Sequence, residues 1–308
     1  MSLGVLFPGQ GSQSIGMLKD LKSSYSIVSE VFEEASDLLS FDLWKITKNG
    51  PESKINDTEF TQPIMLCAAF SIWKIWNEEG GDSPIYIAGH SFGEYTALCA
   101  SRSLKFKDAI KLVKKRAECM KSAPKGKMSA IIGIDFQKLK QLHEENTLSE
   151  VSIANINAPG QIVISGTEEG VYQLSELALS NKAKRVIPIP VSVAAHSSLM
   201  IDQSKIFKDF VDKVKISDLT IPVVNNVDVK CEINEALIKD ALVRQLYSPV
   251  RWVETIEYME QEGVDFMLEL GPGKVLTSFN KRIDNSIKSI SVSDSNSLET
   301  ALETLGNL

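Results

Sequence analysis

The pentapeptide Gly89-His90-Ser91-Phe92-Gly93 constrains this chain more than any other feature. The apolar run Ile85-Tyr86-Ile87-Ala88 ahead of it reads as a buried strand. Gly93-Glu94-Tyr95-Thr96-Ala97-Leu98 behind it reads as a helix. A chain turning that sharply is strained and crowded, so it needs small residues on both sides of the central one. The turn lifts the serine into the open, over a helix N-terminus whose N–H groups suit a developing oxyanion. The five-residue pattern alone recurs by chance. Its strand–turn–helix context makes it a nucleophile elbow, against the alternative of a tight turn around an inert serine.

The chain has 308 residues, 43% hydrophobic and 24% charged, enough for a large core and one or two domains. A net charge of −7 argues against nucleic-acid binding. No apolar run reaches the roughly eighteen residues of a membrane span, so no membrane association is expected. The start, Met-Ser-Leu-Gly-Val-Leu-Phe-Pro, lacks the basic segment and cleavage signal of a secretory peptide. Cys67, Cys99, Cys119 and Cys231 are scattered, with no Cys-x-x-Cys pair. They suit a reducing cytoplasm and suggest no metal site, and nothing calls for a cofactor.

Leu3–Phe7 reads as a strand feeding the loop Pro8-Gly9-Gln10-Gly11-Ser12-Gln13, and helical patterns fill much of residues 24–80. This rhythm favours an α/β core with a parallel sheet. It breaks at Pro124-Lys125-Gly126-Lys127. Strands are then expected at Met128–Ile134, Val151–Asn157, Gln161–Ser165 and Ala183–Ile189, with helices at Phe136–Glu145 and Glu168–Leu179. The order β-α-β-β-α-β is that of a ferredoxin-like unit. Residues 125–192 are therefore read as a small inserted domain, and residues 1–124 and 193–308 as the large one. In the latter, Leu199–Val214 and Glu235–Leu246 look helical, and Asp265–Leu270 is a strand running into Gly271-Pro272-Gly273-Lys274.

A serine hydroxyl needs a base, and the chain has only three histidines. His90 adjoins Ser91, where neighbouring side chains point apart. His143 lies in a charged surface helix. His196 follows Val191-Ser192-Val193-Ala194-Ala195, whose small residues leave room for an imidazole, and it comes after the serine in chain order. By elimination His196 is the base. No acid stands out as third member; Asp202 and Asp265 are unsupported, and a backbone carbonyl is an alternative. The oxyanion donors expected are the backbone N–H of Phe92, after the nucleophile, and that of Gln10 in the glycine-rich loop.

Phe106, Ala109, Ile110, Leu112, Val113, Ala117 and Met120 form one helical stripe, and Arg116 lies within it. An inward arginine needs an anion, either a structural carboxylate or the carboxylate of a substrate. The segment 105–127 carries nine basic and two acidic residues in an acidic chain. That marks it as a solvated helix face or a docking surface for an acidic partner.

Several motifs occur in order: Phe7-Pro8-Gly9-Gln10-Gly11-Ser12-Gln13, Gly89-His90-Ser91-Phe92-Gly93-Glu94-Tyr95, Arg116, Asn155-x-Asn157-x-Pro159-Gly160-Gln161, His196, Gln245-Leu246-Tyr247-Ser248-Pro249-Val250-x-Trp252 and Glu269-Leu270-Gly271-Pro272-Gly273. Together, over almost the whole chain, they resemble the malonyl-CoA:acyl-carrier-protein transacylases of bacterial type II fatty-acid synthesis. The resemblance implies an α/β-hydrolase-like large domain, a ferredoxin-like small one and an active site between them. It implies malonyl-CoA and acyl carrier protein as partners, an acylated Ser91, His196 as base and Arg116 gripping the malonyl carboxylate. It further implies that Gln245 helps hold the histidine through its main-chain carbonyl. One departure is Ala195, where the family commonly has serine before the histidine. The rival readings are an esterase or thioesterase with the same nucleophile, a trans-acting polyketide acyltransferase, and a non-catalytic carrier-protein-binding module.

Overall fold

The structure is a computed structural model that describes every residue except Ser149, Ser192, Asn307 and Leu308. Its strands are β1 (Leu3–Phe7), β2 (Tyr86–Gly89), β3 (Lys127–Ile132), β4 (Val151–Ala158), β5 (Gln161–Gly166), β6 (Arg185–Ile189), β7 (Val223–Val224), β8 (Phe266–Leu270) and β9 (Lys288–Val292). They form two sheets. One has the order β7-β2-β1-β8-β9 and is parallel throughout. The other, β4-β5-β3-β6, is antiparallel throughout. The expected α/β class with a ferredoxin-like unit is what the chain adopts.

Every residue of β1 and β8 is buried, as a parallel sheet covered on both faces requires. Their apolar runs, broken in β8 only by Glu269, are the sequence signature of that burial. β1 and β2 pair in register from Gly4↔Tyr86 to Phe7↔Gly89, so their carboxyl ends finish side by side. The loop after β1 and the elbow after β2 are thereby neighbours, at the sheet edge where open α/β folds place ligands. The Glu269 carboxylate, at the end of β8, accepts from the N–H groups of Leu276 (3.1 Å) and Thr277 (2.8 Å). It thus caps the Val275–Ile283 helix, which explains the Glu269–Gly273 motif structurally.

In the antiparallel sheet, alternate residues separate the faces. Ile162 and Ile164 of β5 pack with Leu139 and Leu174 of the Phe136–Glu145 and Glu168–Ser180 helices. Val163, between them, looks into a cleft shared with the parallel-sheet side. β4 is tied to the larger body by Ile156 N–H to Val250 O (2.9 Å) and Val250 N–H to Ala154 O (2.8 Å). Among the described residues no helix is long and apolar enough to cross a membrane.

Local differences from expectation have local causes. The helix expected over Leu199–Val214 is a 3₁₀ turn, Ser198–Met200, followed by an α-helix over Ile201–Val211. The helix expected to reach Leu246 ends at Arg244. There Gln245 and the residues after it turn away to meet His196. β7 spans too few residues to show a period, and β9 is an edge strand with a mixed polar pattern.

The elbow glycines are set by backbone approach. A Cβ on Gly93 would lie 2.4 Å from Phe7 O, and one on Gly89 would lie 1.9 Å from the Gly93 carbonyl carbon. Backbone cannot yield as a flexible side chain can. Gly93→Ala should therefore cost about 2–3 kcal/mol or more, read as a fall in Tm by calorimetry. A melt indistinguishable from wild type would contradict this packing.

Candidate active site

Ser91 sits in the left-handed region at φ 54°, the strained conformation a nucleophile elbow imposes. The strain is held by Asn226. Its Oδ1 accepts from Ser91 N–H (2.7 Å), and its Nδ2 donates to Gly89 O (2.8 Å). Sequence reading missed Asn226, which lies in a loop far along the chain with no motif around it.

His196 Nε2 lies 2.8 Å from Ser91 Oγ. On the other side of the ring, Nδ1 meets the main-chain carbonyls of Gln245 (2.8 Å) and Ser248 (3.1 Å). Both are pure acceptors, so Nδ1 carries the proton and Nε2 presents its lone pair to the serine. No carboxylate is needed to fix the tautomer. Asp202 instead pairs with Lys205 at 2.7 Å, and Asp265 accepts from Ser2 N–H at 2.7 Å. Burial and the nearby Arg116 charge hold His196 down to about 3, so it is an unprotonated base at neutral pH.

Arg116 is 1% exposed. One Nη2 hydrogen bond goes to Ser91 Oγ (3.2 Å) and another to Gln245 Oε1 (3.2 Å). Nη1 reaches Gln62 Oε1 (3.1 Å) and Met120 Sδ (3.2 Å). Every one of these partners is neutral. Its Nε, like the nearby Tyr95 hydroxyl, is buried without a hydrogen-bond partner. The guanidinium is thus buried beside Ser91 with no directly bonded carboxylate, an arrangement chemically able to take an anion.

Gln10, Phe92, Ser91, Arg116 and His196 all line one cleft of about 530 Å³ between the two sheets. That volume suits a small-molecule arm. Phe92 is the N-cap of the Gly93–Ala100 helix, ahead of the first intrahelical donors, so its N–H is free to serve a ligand. The Gln10 side chain is tethered by Thr58 Oγ1, which donates to its Oε1 at 2.9 Å. His90 also lines the cleft, its Nε2 donating to Asn157 Oδ1 (2.9 Å) and its ring against Trp252. Burial holds it down to about 4. His143 binds Val151 O and stays outside the site. Behind the cleft, Glu94 is buried beneath Gln245, and desolvation pushes it up to about 7.

The basic run is only partly a free surface. Lys114 pairs with Glu59 and Glu118, and Lys121 with Asp57 and Glu59. These contacts clip the Arg116 helix to the Thr58–Glu78 helix.

An elbow serine, a carbonyl-held histidine and an oxyanion-competent helix end define a serine-dependent acyl-transfer enzyme. The sequence matches the acyl transferase domain family over residues 5–297, and the chain belongs to that family. It is 44% identical to the malonyl CoA-acyl carrier protein transacylase of Escherichia coli strain K12, covering 97% of this chain and 98% of that one. It is 42% identical to the protein of the same name from Bacillus subtilis, covering 98% and 97%. Among solved structures, it superposes at TM-score 0.95 on an acyl carrier protein S-malonyltransferase from Vibrio cholerae, with 42% identity over 97% and 99% of the chains. It also superposes at TM-score 0.96, with 43% identity over 99% and 100%, on a malonyl-transacylase in complex with a type II PKS acyl-carrier protein.

His196 and His90 both have folded values below the ordinary 6.5, held there chiefly by burial. Their contribution to stability is complete above about 6.5 and is lost as pH falls toward about 4 and then about 3. Ring resonances of both, assigned by substitution, should stay those of neutral imidazole from pH 8 down to 5.5. A midpoint near 6.5 for His196 would refute its burial.

Proposed function

We propose that this protein moves a malonyl group from malonyl-CoA to the phosphopantetheine thiol of acyl carrier protein, for fatty-acid synthesis. The observation that carries the reading is the buried Arg116 guanidinium, bonded only to neutral groups and 3.2 Å from Ser91 Oγ. A malonyl thioester brings the missing carboxylate to that place; an acetyl thioester does not.

The reaction is ping-pong. His196 Nε2 takes the Ser91 proton as Oγ attacks the thioester carbonyl. The tetrahedral oxyanion is stabilised by the backbone N–H groups of Phe92 and Gln10. Collapse breaks the C–S bond, the imidazolium returns its proton to the departing coenzyme A sulfur, and malonyl-Ser91 remains. In the second half, His196 takes the proton of the carrier's thiol as its sulfur attacks the ester carbonyl; collapse breaks the C–Oγ bond, and the imidazolium returns the proton to Ser91 Oγ. The Gln245 and Ser248 carbonyls stabilise the imidazolium through Nδ1–H, the task an acid performs in a triad. Residues 125–192 act as a small domain walling the cleft opposite the nucleophile. The unpaired cysteines Cys67, Cys99, Cys119 and Cys231 support a cytoplasmic setting.

The same transfer serves a polyketide carrier protein as second acceptor, a reading favoured by the likeness to a transacylase bound to such a carrier. A thioesterase reading leaves Arg116 without a purpose.

Intact-protein mass spectrometry after mixing with malonyl-CoA should show one malonyl adduct on the native chain and none on Ser91→Ala. Holo carrier protein should discharge it. An adduct that vanishes without carrier would make the protein a thioesterase. Arg116→Ala should lower kcat/KM for malonyl transfer by about two to four orders of magnitude, the ~3–5 kcal/mol of a buried charge pair. Acetyl transfer should lose far less; equal losses would remove Arg116 from acyl selection.

A further inference from the structure

Gln245 has two separable parts at this site. Its main-chain carbonyl holds His196. Its side-chain amide bridges Arg116 and Glu94: Oε1 accepts from Arg116 Nη2 (3.2 Å), and Nε2 donates to Glu94 Oε2 (2.7 Å) and to Ser91 O (3.1 Å). An amide of this kind has two orientations related by a flip of its terminus. Flipped, it would turn N–H groups toward the guanidinium, which has no acceptor to offer.

Glu94, which makes the shorter of the two bonds to Nε2, selects between these orientations together with Ser91 O. It is 2% exposed and lies one residue inside the helix that follows the elbow. Its Oε2 already accepts from Asn226 N–H at 3.0 Å. The end of Gln245 that meets Oε2 also faces Ser91 O, a main-chain carbonyl that can only accept, and with Asn226 N–H already directed at Oε2 that end is nitrogen. The amide oxygen must then face Arg116. Asn226 closes the circuit, since its side chain holds Ser91 N–H and Gly89 O.

We propose that Glu94 is a positioning residue for acyl-group selection, locking the Gln245 amide with its oxygen toward Arg116 and so aiming the guanidinium at the acyl group on Ser91. The arrangement has a further consequence. A carboxylate in direct contact with Arg116 would occupy the fork that the substrate needs. An amide between them supplies an acceptor and keeps the guanidinium out of a direct ion pair. The inference rests on the malonyl-transfer reading, and its test separates the two.

The test compares kcat/KM for enzyme acylation by malonyl-CoA and acetyl-CoA in wild type, Glu94→Met and Glu94→Gln, with Tm recorded for each. Methionine fills the space without accepting; glutamine keeps an oxygen acceptor of the same reach. In Glu94→Met the malonyl/acetyl ratio should fall at least tenfold, chiefly through KM for malonyl-CoA. Glu94→Gln should hold the ratio within about threefold of wild type. An unchanged ratio in Glu94→Met, with both acyl groups losing equally, would overturn the proposal and leave Glu94 a packing residue. A Glu94→Gln ratio as low as that of Glu94→Met would overturn it as well. A wild type that malonyl-CoA does not acylate at all would bring down the underlying function. Should Glu94→Met fail to fold, the wild type decides: the Gln245 side-chain NH₂ should give a single exchange-protected pair of NMR resonances. Two populations, or rapid exchange, would exclude the lock.

Discussion

The burial of the Arg116 guanidinium without a carboxylate is the constraint around which this site is built. Desolvating a cation costs several kcal/mol unless acceptors replace water. Here they are two amide oxygens, a thioether and the nucleophile's own hydroxyl. Each comes from a different part of the chain: Gln62 from the Thr58–Glu78 helix, Met120 from the arginine's own helix, Gln245 from beyond the Glu235–Arg244 helix, and Ser91 from the elbow. The helices must therefore assemble in one arrangement for the charge to be tolerated, and in that arrangement Arg116 lines the cleft beside Ser91.

Strain at Ser91 is the complementary constraint. The left-handed backbone at Ser91 raises the energy of the turn, while glycine at 89 and 93 keeps a Cβ out of the neighbouring main chain. Asn226 offsets this by satisfying the donor of Ser91 and the acceptor of Gly89. The same residue reaches Glu94, and through Gln245 the network continues to Arg116 and His196. Ser91, His196 and Arg116 are thus held by one set of hydrogen bonds in which neutral amides make most of the connections.

Much of this was legible beforehand. Local features announced themselves: the small residues around Ser91, an arginine inside an apolar stripe, and a β-α-β-β-α-β rhythm after Pro124. The scarcity of histidines made His196 findable by elimination. The group orienting His196 stayed open on residue chemistry alone, because a main-chain carbonyl leaves no trace in side-chain identity. Resemblance, not periodicity, pointed to Gln245; Ser248 O, the second carbonyl, had no assigned role. Asn226 and Gln62 were invisible for another reason: an isolated amide in a loop or helix looks like ordinary surface polarity until its neighbours are known. The basic run misled in part, since Lys114 and Lys121 face Asp57 and Glu59 across a helix pair.

The sequence by itself determined what is set by neighbours along the chain: which segments are strands and helices, where the elbow must form, and that Arg116 faces inward. Periodicity and backbone sterics act over a few residues, so they can be read without coordinates. Tertiary structure alone decided which groups meet across distance. It set the 2.8 Å approach of His196 to Ser91, the carbonyls that fix its tautomer, and the Glu94–Gln245–Arg116 chain. Those pairings depend on how two sheets and their covering helices pack, and hydrogen-bond geometry at that scale is fixed only when the whole core has closed.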